Sequence, residues 1–138
     1  DVERSDVEAA KKHFEEDLRL AEEIGDVSGQ AQMHSHLGEC ALRLSNNDEA
    51  RDQYELSLEE ASAWTSECFA LTGLLITCAR QEDAEGVTTY GRQLAETIQW
   101  DNLFEDLEDQ IQEALEATAP VAEDRDWFQQ IRERLDAE

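Results

Sequence analysis

Three histidines and a cysteine in the first third of the chain are the residues best suited to bind a metal: His13, His34, His36 and Cys40. A zinc site needs three or four converging imidazole, thiolate or carboxylate ligands. On a helix, His36 and Cys40 lie on one face four residues apart, whereas His34 points about 200° away from His36. Because only two ligands converge, we interpret His34 as a packing or groove histidine, and we expect no metal and no other cofactor.

Acidic pairs such as Glu105-Asp106 and Glu108-Asp109 are the second group that could do chemistry. A calcium-binding EF-hand loop needs alternating oxygen ligands, a central glycine and a terminal glutamate, and none of the acidic runs has that pattern. A glycosidase needs an apolar cleft that raises the pKa of one carboxyl group, which solvated helix faces do not offer. We therefore interpret these pairs as solvated surface.

Nucleophilic catalysis has no better support in the sequence. The chain contains no G-x-S-x-G motif and no glycine-rich loop after a strand. Cys78 lies in an apolar run, where burial raises the pKa of a thiol and reduces its reactivity. We predict that the protein is not an enzyme.

The charge of the chain excludes several classes of partner. Its 138 residues include 35 acidic and 11 basic side chains, for a net charge of -24. Such a surface does not suit phosphate backbones or anionic membranes, so we expect no direct nucleic-acid binding and no membrane binding. The hydrophobic content of 40% is still sufficient for a core. Lys11 and Lys12 are the only lysines, and this acidic, lysine-poor composition predicts a halophilic protein.

Cysteine usage and hydropathy indicate a cytoplasmic protein. Cys40, Cys68 and Cys78 form an odd set without C-x-x-C spacing, and each lies among apolar residues. We expect buried free thiols in a reducing compartment. No apolar run approaches the 18 residues of a membrane span, and no signal peptide opens the chain. The first residue is Asp1 rather than methionine, which we interpret as a fragment of a larger protein or a processed N-terminus.

The pattern of apolar residues predicts an all-α fold. They recur every three or four residues, as in amphipathic helices, and no window alternates as a strand does. Gly25 is expected to end the first helix in the left-handed conformation, and Pro120 is expected in the first turn of the last helix. Short loops between helices favour antiparallel neighbours. The seven predicted helices cover about 6–24, 28–44, 48–63, 66–80, 83–99, 102–118 and the residues from 120 onward.

Alternate helices carry a repeated signature. Phe14, Tyr54 and Tyr90 are spaced 40 and 36 residues apart, and Trp127 follows 37 residues later. A period of this length, with one helix pair per unit, is typical of helical solenoids. The first three aromatic residues each have a small residue four positions earlier and a leucine four positions later: Ala10, Ala50 and Gly86, and Leu18, Leu58 and Leu94.

The second unit resembles a tetratricopeptide (TPR) repeat, through His36-Leu37-Gly38, Asp48-Glu49-Ala50, Tyr54 and Leu58. The run Ala21-Glu22-Glu23-Ile24-Gly25-Asp26 resembles the longer variety of about 40 residues. The resemblance implies one domain over 1–138, folded as a right-handed α-solenoid, with 119–138 as a candidate capping helix. It also implies close contact between helices at Gly38, closer than at Gly91.

In that family the first helix of each pair lines a concave face that binds partners. For the buried-looking helix at 66–80, two interpretations of Leu71 and Leu75 stay open, a core position and the apolar floor of a groove. When the units are aligned with the TPR pattern, the resemblance places three sets of residues on the concave face. These are Gln32, Ser35, Glu39, Leu42 and Arg43 in one unit, Cys68, Leu71, Leu75 and Cys78 in the next, and Glu105, Glu108 and Gln112 in the last.

These observations predict a protein–protein interaction module that binds a peptide or helix segment of a partner. The chaperone-tail clamp of the family is disfavoured, because Ser35 and Glu39 stand where it needs lysine and asparagine. An acidic face suits a basic or amphipathic segment better. Two alternatives stay open: the sensory or regulatory region of a larger transcription regulator or signalling protein, and a self-associating scaffold.

Overall fold

The computed structural model describes residues 1–137, and this part of the chain is helical with no strand. The helices pair antiparallel along the chain, so the predicted all-α architecture of stacked helix pairs is confirmed. A short 3₁₀ helix, Trp100–Asn102, precedes the sixth helix. The seven α-helices of the described range are α1 (Val2–Ile24), α2 (Val27–Arg43), α3 (Asn47–Glu60), α4 (Trp64–Arg80), α5 (Ala84–Thr97), α6 (Glu105–Ala122) and α7 (Asp126–Asp136).

Local sequence signals set most of the helix boundaries. Gly25 ends α1 at φ 71°, a left-handed conformation that a glycine adopts without steric cost, so this prediction is confirmed. Asp26 then caps α2 by accepting a hydrogen bond from the backbone N–H of Gly29 at 3.0 Å. Asn46 and Asp83 cap α3 and α5 in the same way.

The boundary predicted at Pro120 is wrong. Pro120 lies inside the last turn of α6, which continues to Ala122, and α7 begins only at Asp126. Pro120 has no N–H to donate to the carbonyl of Glu116, but its side chain is exposed and only one helical turn follows it. Burial of Thr118 and Ala122 on the inner face of α6 keeps this turn helical.

Helix α4 forms the centre of the core. It packs against α2, α3, α5 and α6, and every residue from Ala70 to Cys78 is buried. A helix with neighbours on this many sides has no solvent face along most of its length. The apolar composition that distinguishes this helix in the sequence is therefore explained by its central position.

Two aromatic side chains pack into spaces that exist because glycines have no side chain there. The ring of Tyr54 lies between Gly38 on α2 and Gly73 on α4: a Cβ on Gly38 would lie 2.8 Å from Tyr54 Cδ2, and one on Gly73 only 2.6 Å from Cδ1. Both distances are well below carbon–carbon contact of about 3.5 Å. Trp127 fills the corresponding slot beside Gly91, where a Cβ would lie 2.5 Å from Cδ2. The expectation that Gly38 is the closer of the two approaches is wrong, because the indole of Trp127 lies nearer to Gly91.

Ion pairs connect the second helices of successive units. Lys11 on α1 binds Glu49 on α3, with Nζ 3.0 Å from Oε1. Arg51 on α3 donates to Asp83, the N-cap of α5, at 2.9 Å. The pKa of Asp83 is lowered, first by the backbone N–H of Gly86 and then by Arg51. The chain has only 11 basic side chains, and two of them form ion pairs that connect one unit to the next.

The three cysteines are free and buried, as predicted. Within residues 1–137, none of the helices combines the length and the apolar character that crossing a membrane requires.

Candidate functional site

The candidate site is a groove of about 300 Å³ between α2, α4 and the start of α6. Helix α2 forms one wall of the groove, and helices α4 and α6 form the other. Tyr54 of α3 contributes to the floor. We call this feature the groove throughout. Its lining residues are Ala31, Gln32, Ser35, His36, Glu39, Tyr54, Thr65, Ser66, Phe69, Phe104 and Gln110.

Helix α2 supplies the polar wall. Gln32, Ser35 and Glu39 follow each other at spacings of three and four residues, so they share one face of the helix. The structure thus brings together three of the residues predicted to bind a partner. Ser35 is held in place by Ser57 of α3, with the two Oγ atoms 2.7 Å apart. Arg43 lies one turn beyond Glu39 and donates to its carboxylate at 2.9 Å, without lining the groove itself.

Two phenylalanines form an apolar end of the groove. Phe69 is half-buried in the first half of α4, and Phe104 precedes α6 with 43% of its surface exposed. Their ring centroids are 6.3 Å apart at an interplanar angle of 49°, a tilted aromatic pair. Because Phe104 is partly exposed, this pair offers apolar surface to a ligand in the groove.

The other end of the groove carries negative charge around Tyr54. Burial raises the pKa of Tyr54, and the charges of Glu39 and Glu113 raise it further, whereas Arg80 lowers it. Of these two carboxylates, Glu39 lines the groove, whereas Glu113 is exposed on α6 and is not among the lining residues. Glu113 lies three residues after Gln110 on the same face of α6, and it has no salt-bridge partner within residues 1–137. The guanidinium of Arg80 is engaged by the carbonyl of Leu42 at 2.9 Å.

The prediction of which α4 residues face the groove is wrong. Leu71 and Leu75 have no exposed surface, so of the two interpretations left open the structure shows the core position, and neither side chain can contact a partner. Their companions Cys68 and Cys78 are equally buried. Phe69 lines the groove instead, two residues before Leu71 and thus about 200° away around the helix.

On α6, too, the residues predicted to face a partner are not the ones that line the groove. Glu108 is half-buried and lies outside the groove, and Gln112 lines a separate small cavity between α6 and α7. Each is two residues from Gln110, which does line the groove, and so points to another face. Glu105, at the exposed start of the helix, is not among the lining residues either.

Sequence reasoning therefore missed the lining residues of α4 and α6. In a helix buried on nearly all sides, apolar residues do not identify the groove face, but small polar ones can. Thr65 and Ser66 are such a signal, since they precede Phe69 by one turn on the same face. Phe104 carried another signal, because it is an aromatic residue directly before the acidic first turn of α6.

His34, His36 and the three cysteines pack against other side chains. His34 is buried between helices, with Nδ1 2.7 Å from Oε1 of Gln53, so it is a packing histidine. His36 stacks on Phe14 of α1, with ring centroids 4.7 Å apart. No group of three or more His, Cys, Asp or Glu side chains within residues 1–137 is placed to hold a metal ion. Burial raises the pKa of Cys68 to about 12 and that of Cys78 to about 11, which makes both thiols poor nucleophiles.

The repeat-signature residues lie at the helix interfaces. Leu37, Gly38, Ala50, Tyr54, Gly86 and Leu94 are buried, and Ala10, Phe14, Leu58 and Tyr90 are half-buried. Comparison of the chain with family models, curated proteins and solved structures finds no match in any of the three.

Proposed function

We propose that this chain is a TPR-like interaction module that binds a segment of a partner protein in the groove. The observation that carries the proposal is the groove itself, a concavity of about 300 Å³ with half-buried Phe69 and exposed Phe104 at one end and polar side chains along one wall. Such a mixture of apolar area and a few directed polar groups is typical of ligand sites.

The charge of the chain supports a basic or amphipathic partner. A net charge of -24 attracts cationic segments and repels anionic ones, which raises the association rate for basic ligands and suppresses wrong encounters. Phe69 and Phe104 add apolar area that a purely charged ligand would leave uncovered. A segment with both basic and apolar side chains therefore suits the groove best.

The TPR assignment is supported by the packing of the signature residues. In the second unit, Gly38 of the first helix lies directly against Tyr54 of the second, which is the contact expected where the two helices of a repeat approach closely. Tyr54 also borders the groove with the 3% of its surface that stays exposed, so the packing of the repeat forms part of the groove floor.

Site-specific photo-cross-linking tests the proposal. A benzoylphenylalanine placed at Gln32, an exposed position of the groove, is expected to cross-link a discrete partner in an extract of the source cells. The matched control carries the same photoreactive residue at Glu16, exposed on α1 away from the groove. The cross-linked partner peptide is then synthesised and its affinity measured. Equal cross-linking from both positions, or affinity that is unchanged by Phe104→Ser, would contradict binding in the groove.

Self-association is a second candidate, and exposed apolar residues at one end of the fold favour it. Leu20 and Ile24 lie one turn apart on α1 with 58% and 78% of their surfaces exposed, and Val27 follows at the start of α2 with 51%. Adjacent exposed apolar side chains often mark interaction sites. Light scattering across a concentration series tests this candidate. A dimer that Leu20→Gln with Ile24→Gln converts to a monomer would support it, and a monomer at all concentrations would exclude it.

A further inference from the structure

We propose that two copies of this chain pair through α1, with the two helices antiparallel and His13 at the centre of the contact. This inference rests on the self-association candidate of the proposed function, because it names the surface and the orientation of that pair. No residue of α1 is among the lining residues of the groove, so pairing through α1 and binding in the groove use different surfaces.

Helix α1 has more apolar side chains than its contacts with the fold use. The apolar side chains that pack on the rest of the fold are buried or half-buried: Val7, Ala10, Phe14, Leu18 and Ala21. The other apolar side chains are exposed, and at 100° per residue they and His13 fall within a sector of about 60°, centred roughly 115° from the packed face. We call this second set the α1 stripe: Val2, Ala9, His13, Leu20 and Ile24.

The α1 stripe is straight and runs the whole length of the helix. Val2, His13 and Ile24 follow each other at intervals of eleven residues, and Ala9 and Leu20 are separated by the same interval. Three turns of eleven residues have 3.67 residues per turn, close to the 3.6 of an α-helix, so the stripe turns only slightly around the axis. From Val2 to Ile24 it is about 33 Å long. A surface of this shape fits a second helix along its full length.

An antiparallel pair covers the most exposed part of the stripe. A two-fold axis at His13 places Val2 of one copy opposite Ile24 of the other, and both of these side chains are 78% exposed. Leu20 falls within one turn of Ala9 of the second copy, whose methyl group leaves room for it. Because a two-fold interface uses the same patch on both copies, each of these contacts occurs twice.

The acidic residues closest to the stripe favour the antiparallel orientation. Asp6 and Asp17 border the stripe on one side. In a parallel pair with matched ends, each would face its own counterpart at the same level, and such like-charge contacts cost free energy. In the antiparallel pair, Asp6 lies at the level of Leu20 and Asp17 at the level of Ala9, so neither meets a carboxylate at its own level.

Charge complementarity on the other side of the stripe indicates a second copy as the partner. Lys12 and Glu16 are both exposed there, and neither has a salt-bridge partner within residues 1–137. In the antiparallel pair, Lys12 of one copy lies within two residues, about 3 Å, of the level of Glu16 of the other. A lysine side chain spans this offset, and the two-fold axis forms the ion pair twice. The surface thus supplies the acidic partner for its own cation.

The size of the contact makes the pair weak. Two helices in contact over about 33 Å, each about 10 Å wide, cover about 330 Å² per copy, or about 660 Å² together. Stable interfaces bury roughly 1,000 Å² or more. Each copy also carries a net charge of -24, which opposes pairing until salt screens it. Because the Debye length shrinks from about 10 Å at 0.1 M to about 3 Å at 1 M, we expect the pair mainly at high salt.

Sedimentation equilibrium of the full chain at 0.2 and 2 M KCl measures the dissociation constant of the pair. The constant should fall by about tenfold or more as the salt rises. Leu20→Asp places a carboxylate in both halves of the contact and should weaken pairing about tenfold. The matched control, Val121→Asp, makes the same charge change at a 52% exposed position of α6 and should alter the constant less than about twofold. If circular dichroism shows that Leu20→Asp lowers helicity, Leu20→Gln takes its place.

A charge swap tests the contact between Lys12 and Glu16. Lys12→Glu should weaken pairing about threefold, and the double change Lys12→Glu with Glu16→Lys should restore it, because the reversed ion pair makes the same contact. Lys12→Glu with Glu22→Lys is the control of equal charge, since Glu22 is exposed on the opposite side of α1 from the stripe. This control should stay as weak as Lys12→Glu with its charge change removed allows, and a double change that binds no better than the control would overturn the register centred on His13.

Introduced cysteines test the orientation. When equal amounts of Val2→Cys and Ile24→Cys are mixed and oxidised at 2 M KCl, the mixed disulfide between positions 2 and 24 should form in preference to either symmetrical one. Mass spectrometry distinguishes the three products. The three native cysteines are buried and do not compete.

The contrary outcomes separate this inference from the proposed function. Symmetrical disulfides in preference to the mixed one would overturn the antiparallel orientation. A dimer that is indifferent to Leu20→Asp would overturn the α1 stripe and leave self-association through another surface. A monomer at both salt concentrations would overturn the inference and the self-association candidate together, and it would leave binding in the groove to the cross-linking experiment at Gln32.

Discussion

The fit of Tyr54 between two glycines gives the sharpest test of the fold. The perturbation is Gly73→Ala, made in the wild type and in two backgrounds, Tyr54→Leu and Tyr54→Phe. A Cβ at Gly73 would lie 2.6 Å from Cδ1 of Tyr54 and closer still to Cε1 and Cζ. The ring cannot move away freely, since Gly38 on the opposite helix approaches its other edge, where a Cβ would lie 2.8 Å from Cδ2.

The expected magnitude is the difference between two opposing effects. Alanine is favoured over glycine inside a helix by about 1 kcal/mol. Forcing the ring or the helix to shift by nearly 1 Å is overpacking, which costs about 1–3 kcal/mol. Gly73→Ala should therefore lower the free energy of unfolding of the wild type by up to about 2 kcal/mol. With Tyr54→Leu the obstructing ring is absent, and the same substitution should raise it by about 1 kcal/mol.

Urea unfolding followed by circular dichroism at constant KCl measures the three differences. The coupling between Gly73→Ala and Tyr54→Leu should be about 1–3 kcal/mol. Tyr54→Phe is the matched control, because it keeps the ring and should leave the cost of Gly73→Ala unchanged. A Gly73→Ala substitution that stabilises the wild type as much as the Tyr54→Leu background would refute the confinement of the ring, and with it the placement of Tyr54 in the groove.

Three further predictions concern pH, helix α6 and salt. Asp83→Asn keeps the cap on Gly86 but loses the charge that binds Arg51. Because the pKa of Asp83 is lowered in the folded state, the stability that the wild type gains from this carboxylate is present above about pH 4 and disappears as the pH falls further, so the melting temperatures of the two proteins should converge there. Pro120→Ala restores a donor for the carbonyl of Glu116 and should raise the free energy of unfolding by about 1–3 kcal/mol in urea titrations; no gain would mean that α6 ends before this residue. Spread over 7917 Å², the 35 carboxylates lie about 15 Å apart, so screening with a Debye length of about 10 Å at 0.1 M and about 3 Å at 1 M should raise the melting temperature steeply between 0.1 and 2 M KCl. A flat profile would contradict the halophilic interpretation.

The elements of this fold were predictable because each helix carries its own periodicity and end signals. Gly25, Asp26 and Asn46 act within a few residues of chain, and their effects follow from local geometry alone. Pro120 was misplaced for the opposite reason. Its preference for a first turn is local, but the length of α6 is decided by Thr118 and Ala122, which are buried against other helices.

The groove was half predictable. On α2 the polar face contrasts with a buried face, so Gln32, Ser35 and Glu39 could be identified from periodicity and resemblance. On α4 no such contrast exists, because its neighbours cover it on nearly every side. The rotation of a buried helix about its axis depends on packing with residues far away in the sequence, here on Tyr54 against Gly73, and no local pattern reports it.

The surplus of negative charge and the groove have different parts in recognition. At low salt a net charge of -24 attracts any cationic segment over distances of about 10 Å, so attraction of this kind raises encounter rates without choosing a sequence. At molar salt it is screened beyond about 3 Å, and only groups in contact can distinguish one ligand from another. Selectivity must then come from the side chains that line the groove, Phe69 and Phe104 at one end and the polar wall of Gln32, Ser35 and Glu39 on α2. An aromatic pair that faces a polar helix wall is the property that a uniformly acidic surface lacks.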